Sequence, residues 1–336
     1  HSESAGHDLF AYRGSLLAEH LGRALELTAL MVQYPMLSES DLEPIRNVML
    51  QNLRSLDDDP ASKAMTELMR FYYPEPFGRS SLGSEEGFLS VTIERVRKEH
   101  ARKYHPHGSV LSVAGKVEAA QVFDLAQVCF GSWRGEACPR PAFGEVRLAG
   151  RYHLAQSSAQ LQITMAYPSA PFGDPYYYAA KTATAVLSGG MFGRLFVELR
   201  EKRGLCYSIQ ARHSAAAEYG TVSVYAGTTP QRAHETLEVL VSQLRGLRGA
   251  VSVEELQRAK ADLLASLVIG EESTSARAAS NAGDWWVAKR VRSLDEIKAE
   301  VSKVSCKDVD AYLDRFPADV YTLLTLGPEK AALDAE

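Results

Sequence analysis

Apolar and polar positions along the chain alternate between two periods. Leu161, Ile163, Met165 and Tyr167 alternate with Gln160, Gln162 and Thr164, which predicts a strand with one buried face and its polar side chains turned outward. Tyr176 to Leu187 reads as a helix, and Gly189-Gly190 follows it. Phe192, Leu195, Phe196 and Leu199 then recur at helical spacing in one apolar stripe. Gly204 stands just past a basic last turn, as a helix stop should. Tyr207, Ile209 and Ala211 alternate with Ser208, Gln210 and Arg212 and predict a half-buried strand. Arg200 therefore ends a helix, Tyr207 begins a strand, and a tight glycine turn lets the two side chains converge on one point. Spacing by itself favours a plainer reading, in which a terminal arginine complements the helix dipole beside a tyrosine packed on a sheet.

The chain repeats itself at an offset near 213. Tyr12-Arg13-Gly14 matches Tyr225-Ala226-Gly227, the helical run Asp41 to Leu53 matches Glu255 to Leu267, Val91 to Arg102 matches Val304 to Arg315, and Gly115 matches Gly327. Each copy reads strand, helix, long helix, helical connection, helix, strand. The closing strands are Val110-Leu111-Ser112-Val113-Ala114 and Tyr321-Thr322-Leu323-Leu324-Thr325. A period this long is a domain duplication rather than a solenoid array. The second copy has a front section, about 152 to 220, with no counterpart in the first. By this count the first domain lacks about seventy residues at its front, which predicts open sheet edges there. The missing piece is expected in the native protein as disordered, cleaved or separately supplied chain. The fold class predicted is α+β, with two homologous domains, each a largely antiparallel sheet packed by helices. Residues 1–133 form the C-terminal part of the first domain, 134–150 a linker rich in Pro and Gly, and 151–336 the second domain.

Composition narrows the picture by exclusion. At 336 residues the chain has room for two domains. A net charge of −5 and interspersed acids and bases give no nucleic-acid footprint. No apolar run approaches the roughly 18 residues of a membrane helix. The chain starts at His1 without a signal-peptide pattern, as a processed or truncated product would, and the compartment stays open between cytoplasm and periplasm. Of the four cysteines, Cys129, Cys138, Cys206 and Cys306, none lies in a CxxC pair. His100, His105 and His107 are spaced H-x-x-x-x-H-P-H, which is not a same-face pair on a helix. Gly-Gly-x-x-Gly at 189–193 lacks the dinucleotide fingerprint, and no Gly-x-Ser-x-Gly elbow occurs. Trp285 and Trp286 read as core or interface anchors.

The stretch from Ser188 to Ile209 resembles the signature of the C-terminal half of the M16 zinc metallopeptidase family (pitrilysin, insulinase and mitochondrial processing peptidase). Three further segments are similar to the family: Leu56-Asp57-Asp58-Asp59-Pro60, Arg79 to Glu86, and Glu272 to Arg277. The resemblance implies that Arg200 and Tyr207 reach a peptide substrate held at a zinc site in another half, with Gly189 and Gly190 approaching peptide backbone or gating the chamber. It also implies a metal site on an inverted zincin motif, His-x-x-Glu-His, with a third Glu ligand on the helix before the Asp-Asp-Pro segment. No His-x-x-Glu-His occurs in this sequence, and Asn52, preceded by Gln51, occupies the position of that Glu. A neutral amide is a poor zinc ligand beside carboxylate or imidazole.

The expectation that follows is a non-catalytic, zinc-free subunit of a two-chain peptidase of the short bacterial type, with no cofactor of its own. A homologous zinc-bearing partner would hold the metal, and an unfolded peptide would be the substrate. Arg194 and Arg203, in the same helix as Arg200, are expected to matter little. The alternatives are a structural core subunit of a larger complex with no proteolytic role, and a fragment of an active peptidase.

Overall fold

The predicted strand around Ile163 lies at the centre of a five-stranded sheet, covered by helices on both faces. The computed structural model describes residues 1–6 and 9–328; residues 329–336 of the predicted second domain lie outside the described residues. In chain order the elements are β1 (Ser2–Ala5), β2 (Phe10–Arg13), α1 (Leu21–Gln33), α2 (Glu39–Ser55), α3 (Pro60–Tyr72), α4 (Glu85–Ser90), α5 (Ile93–Lys103) and α6 (Ala119–Phe130). They continue with β3 (Arg151–Ala155), β4 (Leu161–Ser169), α7 (Tyr177–Ser188), β5 (Cys206–Ala215), β6 (Gly220–Thr228), α8 (Ala233–Arg245) and α9 (Val253–Glu272). The chain closes with α10 (Thr274–Ala288), α11 (Leu294–Lys303), α12 (Cys306–Arg315) and β7 (Thr322–Gly327).

The chain forms two compact units, and packing rather than chain order decides their membership. One unit gathers His1–Ser55, Ser81–Ala142 and Ile269–Val291; the other gathers Leu56–Ser80, Phe143–Val268 and the chain from Arg292. The predicted division at 133 and 151 differs from this because α3 packs on the sheet of the second unit. Ala64, Leu68 and Tyr72, four residues apart and so on one helix face, are fully buried against Ala166, Leu324 and Leu326. Asp59 starts this helix by accepting from the Ser62 N–H at 3.1 Å, with Pro60 in the first turn. The second half of the predicted linker is likewise docked: Arg147 N–H donates to Tyr72 O at 2.8 Å, and Phe143 stacks on Tyr219.

The sheet order is β3-β7-β4-β6-β5, antiparallel except for the β3–β7 pair. Leu161, Ile163, Met165 and Tyr167 face α7, α8 and α12, as the alternation predicts. Gln162 and Thr164, expected to point into solvent, are instead buried beneath the α3 side of the sheet. Their polar atoms are satisfied there: Tyr225 OH donates to Gln162 Oε1 at 2.6 Å, and Thr164 Oγ1 donates to Leu324 O at 2.9 Å.

The other unit is mostly helical. Its β1–β2 hairpin is antiparallel, and α1 packs on α6, with Gln33 Nε2 donating to Cys129 O at 2.9 Å. The predicted closing strand Val110–Ala114 is not formed; Val110 and Leu111 are exposed, and among the described residues no strand pairs with this segment. No helix among the described residues is long and apolar enough to cross a membrane.

The packing makes α3 a structural part of the sheet. Leu68→Ala is expected to cost about 2–5 kcal/mol, whereas Phe123→Ala on the exposed side of α6 should stay within about 0.5 kcal/mol. Denaturant midpoints of the two variants check this.

Candidate functional site

The site predicted around Arg200 and Tyr207 lies within the sheet-bearing unit. Helix α7 ends at Ser188, and the chain reverses through Gly189 and Gly190. A side chain at Gly189 would sit 2.5 Å from Ala185 O, so this glycine is required by its own helix. Gly190 has φ +61° and faces open space. Met191 and Phe192 follow it and are exposed, so Phe192 leaves the predicted apolar stripe. Leu195 and Leu199 are fully buried and fasten the next turn to the core.

That turn differs from prediction. Phe196–Glu201 is a π-helical segment rather than a regular α-helix, with Lys202 N–H bonding Val197 O at 3.0 Å. Such widened turns concentrate at functional sites. The segment ends at Gly204, φ +59°, whose N–H bonds Arg200 O while Leu205 N–H reaches back to Leu199 O. Arg200 is exposed, and its guanidinium lies over the Phe196 ring, 4.9 Å from the centroid. Neighbouring cations are occupied: Lys202 and Arg203 both bind Glu198, at 2.6 Å each, and hold its carboxyl below the ordinary glutamate range. Among the described residues no carboxylate pairs with Arg200.

Tyr207 is not the inward-facing residue that alternation predicts. The β5–β6 register slips between Cys206 and Ser208, which pair with Thr228 and Gly227, so Tyr207 is the extra residue of a β-bulge. The bulge inverts the parity of the strand. Cys206 faces the core before it, Ile209 and Ala211 pack inward after it, and Tyr207 is left 63% exposed. Burial pushes the Cys206 thiol up, and the charge of Arg200 opposes that shift. The 2.8 Å bond from Leu205 N–H to Leu199 O keeps the end of the π-helical turn next to the start of β5.

Sequence reasoning missed three contributors. Phe196 is the platform beneath Arg200. On the α3 side of the sheet Tyr225 is hydrogen-bonded to Gln162 and Ser208 near Asp59, and burial raises its phenol. Arg194, expected to be dispensable, forms a bidentate ion pair with Glu255 at 2.5 and 2.7 Å and also donates to Ala250 O. Glu255 completes the Ser252-x-x-Glu255 capping box of α9, so this pair ties the Gly189–Gly190 turn to that helix. The capping box is the sequence signal that could have found it.

The residues available do not fit a metal centre. Asn52 is an exposed amide on α2, beside exposed Gln51. His100 Nε2 donates to Val32 O at 3.0 Å, and His105 Nε2 accepts from the Cys138 N–H at 3.2 Å. Among the described residues no group of three or more His, Cys, Asp or Glu side chains is placed to hold a metal ion. The four cysteines are free thiols. Trp286 carries Arg140 and Lys289 on its ring, and Trp285 is exposed.

The Arg194–Glu255 pair is mostly buried, so Glu255→Gln is expected to cost about 2–4 kcal/mol. Hydrogen bonds from Arg194 hold the Glu255 carboxyl below its ordinary value. A carboxylate depressed by folding stabilises above its unfolded pKa, about 4.3, and loses that contribution as the pH falls through the folded value. The stability gap between wild type and Glu255→Gln should therefore close as the pH drops from about 7 to about 3. Urea titrations across that range provide the measurement.

Comparison with known proteins bears on the family. Residues 90–263 match the model described as the peptidase M16 inactive domain. A protein of Mycobacterium tuberculosis (strain H37Rv) named as an uncharacterised zinc protease is 28% identical over 324 residues, covering 94% of this chain and 74% of that protein. The crystal structure of a peptidase M16 inactive domain from Pseudomonas fluorescens superposes with a TM-score of 0.81 at 21% identity, over 95% of this chain and 77% of that one. A chain of complex III2 from Candida albicans superposes with a TM-score of 0.80 at 15% identity, over 94% and 79%. The likeness to the two structures is one of fold. Since the inactive-domain model spans more than half of the sequence, this chain belongs to the M16 peptidase family.

Proposed function

We propose that this chain is the non-catalytic subunit of a two-chain zinc endopeptidase, in which Arg200 and Tyr207 bind peptide substrate opposite the zinc site of a homologous partner. The observation that carries the reading is the bulge at Tyr207, which turns a tyrosine out of a packed strand one tight turn after an arginine that has no carboxylate partner among the described residues. Bulges re-aim side chains next to functional sites, and a purely structural subunit has no use for such a pair.

The two groups differ in what they supply. The Arg200 guanidinium is a permanent cation with several donors in a fixed fork. Its ring platform orients that fork without neutralising it. Tyr207 supplies one O–H donor. Both suit a peptide carbonyl on which negative charge develops during acyl transfer. Gly190, open to its surroundings, lets an extended chain pass close to the backbone. Asn52 and the unsuited donor set among the described residues support a reading in which the partner carries the metal chemistry, and no step of it is assigned to residues of this chain.

The isolated chain is expected to bind no stoichiometric zinc, by elemental analysis after mild dialysis, and to cleave unfolded peptides only when mixed with a zinc-bearing homologue. About one tightly held zinc per chain, or full chelator-sensitive activity from this chain alone, would overturn the assignment. Within the assembled enzyme, Arg200→Ala and Tyr207→Phe should each lower kcat/KM by about 10²–10³, the usual cost of one preorganised donor. The double variant should be less than additive, since both act on one peptide group. Arg203→Ala is the control, because its side chain is committed to Glu198. Near-wild-type rates in both site variants, with assembly confirmed, would favour the structural-subunit alternative.

A further inference from the structure

Helices α2 and α9 are duplicates, and each buries one cation, but only the first supplies that cation with a counter-charge. Asp41–Leu53 matches Glu255–Leu267, so Arg46 of α2 corresponds to Lys260 of α9, and Glu43 to Gln257. Helices α4 and α11 likewise end at matching residues, Ser90 and Lys303. In the first copy the arginine is fully partnered. Its side chain is 14% exposed, donates to Phe88 O at 2.9 Å and to Val91 O at 2.6 Å, and forms an ion pair with Glu43, one turn earlier on the same helix. In the second copy Lys260 is 8% exposed, and its Nζ donates to Ser302 O at 2.8 Å, at the end of α11. The position of Glu43 is held by the neutral Gln257.

Among the described residues no carboxylate pairs with Lys260. Asp308 is committed to the capping box of α12, where it accepts from Ser305 N–H at 2.8 Å and Ser305 Oγ at 2.7 Å. Those bonds hold its carboxyl below the ordinary aspartate range, and the Lys260 charge adds to the effect without forming an ion pair. A buried ammonium with three donors is thus left with one neutral acceptor, an arrangement that favours an added anion. There is room for one. Lys260 and Ser302 line a cleft of about 220 Å³ together with Gln257, Ala261 and Leu264. The first copy has Asn47 and Leu89 where the second has Ala261 and Ser302, so two smaller side chains open this cleft.

We propose that this cleft binds a small organic monocarboxylate, whose charge takes the place beside Lys260 that Glu43 has beside Arg46. The carboxylate accepts from the Lys260 ammonium and from the Gln257 amide, and a short hydrocarbon tail lies on Ala261 and Leu264. One cation and an apolar floor suit a monoanion of this kind rather than a phosphate, which calls for more donors and more positive charge. The assignment does not depend on the reading of Arg200 and Tyr207.

The test titrates butyrate into the full chain at about pH 7, where the acid is ionised, and at constant ionic strength. Saturation-transfer NMR reads binding. Butyramide and butylammonium are the neutral and cationic isosteres. Butyrate is expected to bind saturably and both isosteres to fail. Lys260→Met and Gln257→Glu should each weaken butyrate binding at least about tenfold, the first by removing the cation and the second by neutralising it from within. Gln257 is exposed, so its variant leaves the core untouched, and its thermal midpoint should equal or exceed that of the wild type. Absent butyrate binding, equal binding of butyramide, or undiminished binding by Gln257→Glu overturns the proposal. Displacement of butyrate by an equal concentration of phosphate makes the cleft a general anion site and also overturns it. If butyrate fails and a blocked aspartyl peptide binds, the carboxylate belongs to a protein side chain and the small-acid assignment falls.

Discussion

Strand β4 is buried on both faces, and the architecture of the sheet-bearing unit follows from that. A sheet with one wet face would need only α7, α8 and α12 on its apolar side. Here α3 lays Ala64, Leu68 and Tyr72 over the opposite face, against Ala166, Leu324 and Leu326. The polar side chains trapped beneath it, Gln162 and Thr164, are retained because each has a hydrogen-bond partner, which removes most of the penalty for burying them. Covering the second face draws residues 56–80 out of their chain neighbourhood and into the other compact unit.

On that rigid base two local irregularities shape the candidate site. The π-helical turn from Phe196 to Glu201 ends at a left-handed glycine, and the bulge at Tyr207 follows immediately. Each departs from regular geometry by an extra residue in its hydrogen-bonding ring or ladder. Together they bring the Arg200 side chain over an aromatic ring and turn the Tyr207 side chain outward. Leu195 and Leu199 bury the other side of the turn, so the irregular backbone is held by core packing.

Charge around the turn is distributed unevenly. Glu198 absorbs Lys202 and Arg203, and Glu255 absorbs Arg194, which leaves Arg200 as the cation of this segment available to a ligand. The same division separates roles. Arg194 and Glu255 fix where the turn stands relative to α9, whereas Arg200 faces outward. A view of the helix as a run of interchangeable arginines misses this, because partner choice depends on which elements lie alongside.

Much was legible in the sequence. The helix from 177 to 188, the Gly189–Gly190 reversal, the stop at Gly204 and the strand after it follow from periodicity and glycine placement, which act over a few residues. Tertiary structure decided the rest. Alternation could not reveal that Gln162 and Thr164 are buried, because the helix covering them lies about a hundred residues away in the chain. It could not place the bulge, because strand parity inverts only against a specified register with β6. The closing strand predicted at 110–114 had the composition of a strand, but among the described residues no strand pairs with it. Local pattern fixes what a segment is able to form; whether it forms, and which way its side chains face, is set by the backbone groups and side chains that distant segments bring beside it.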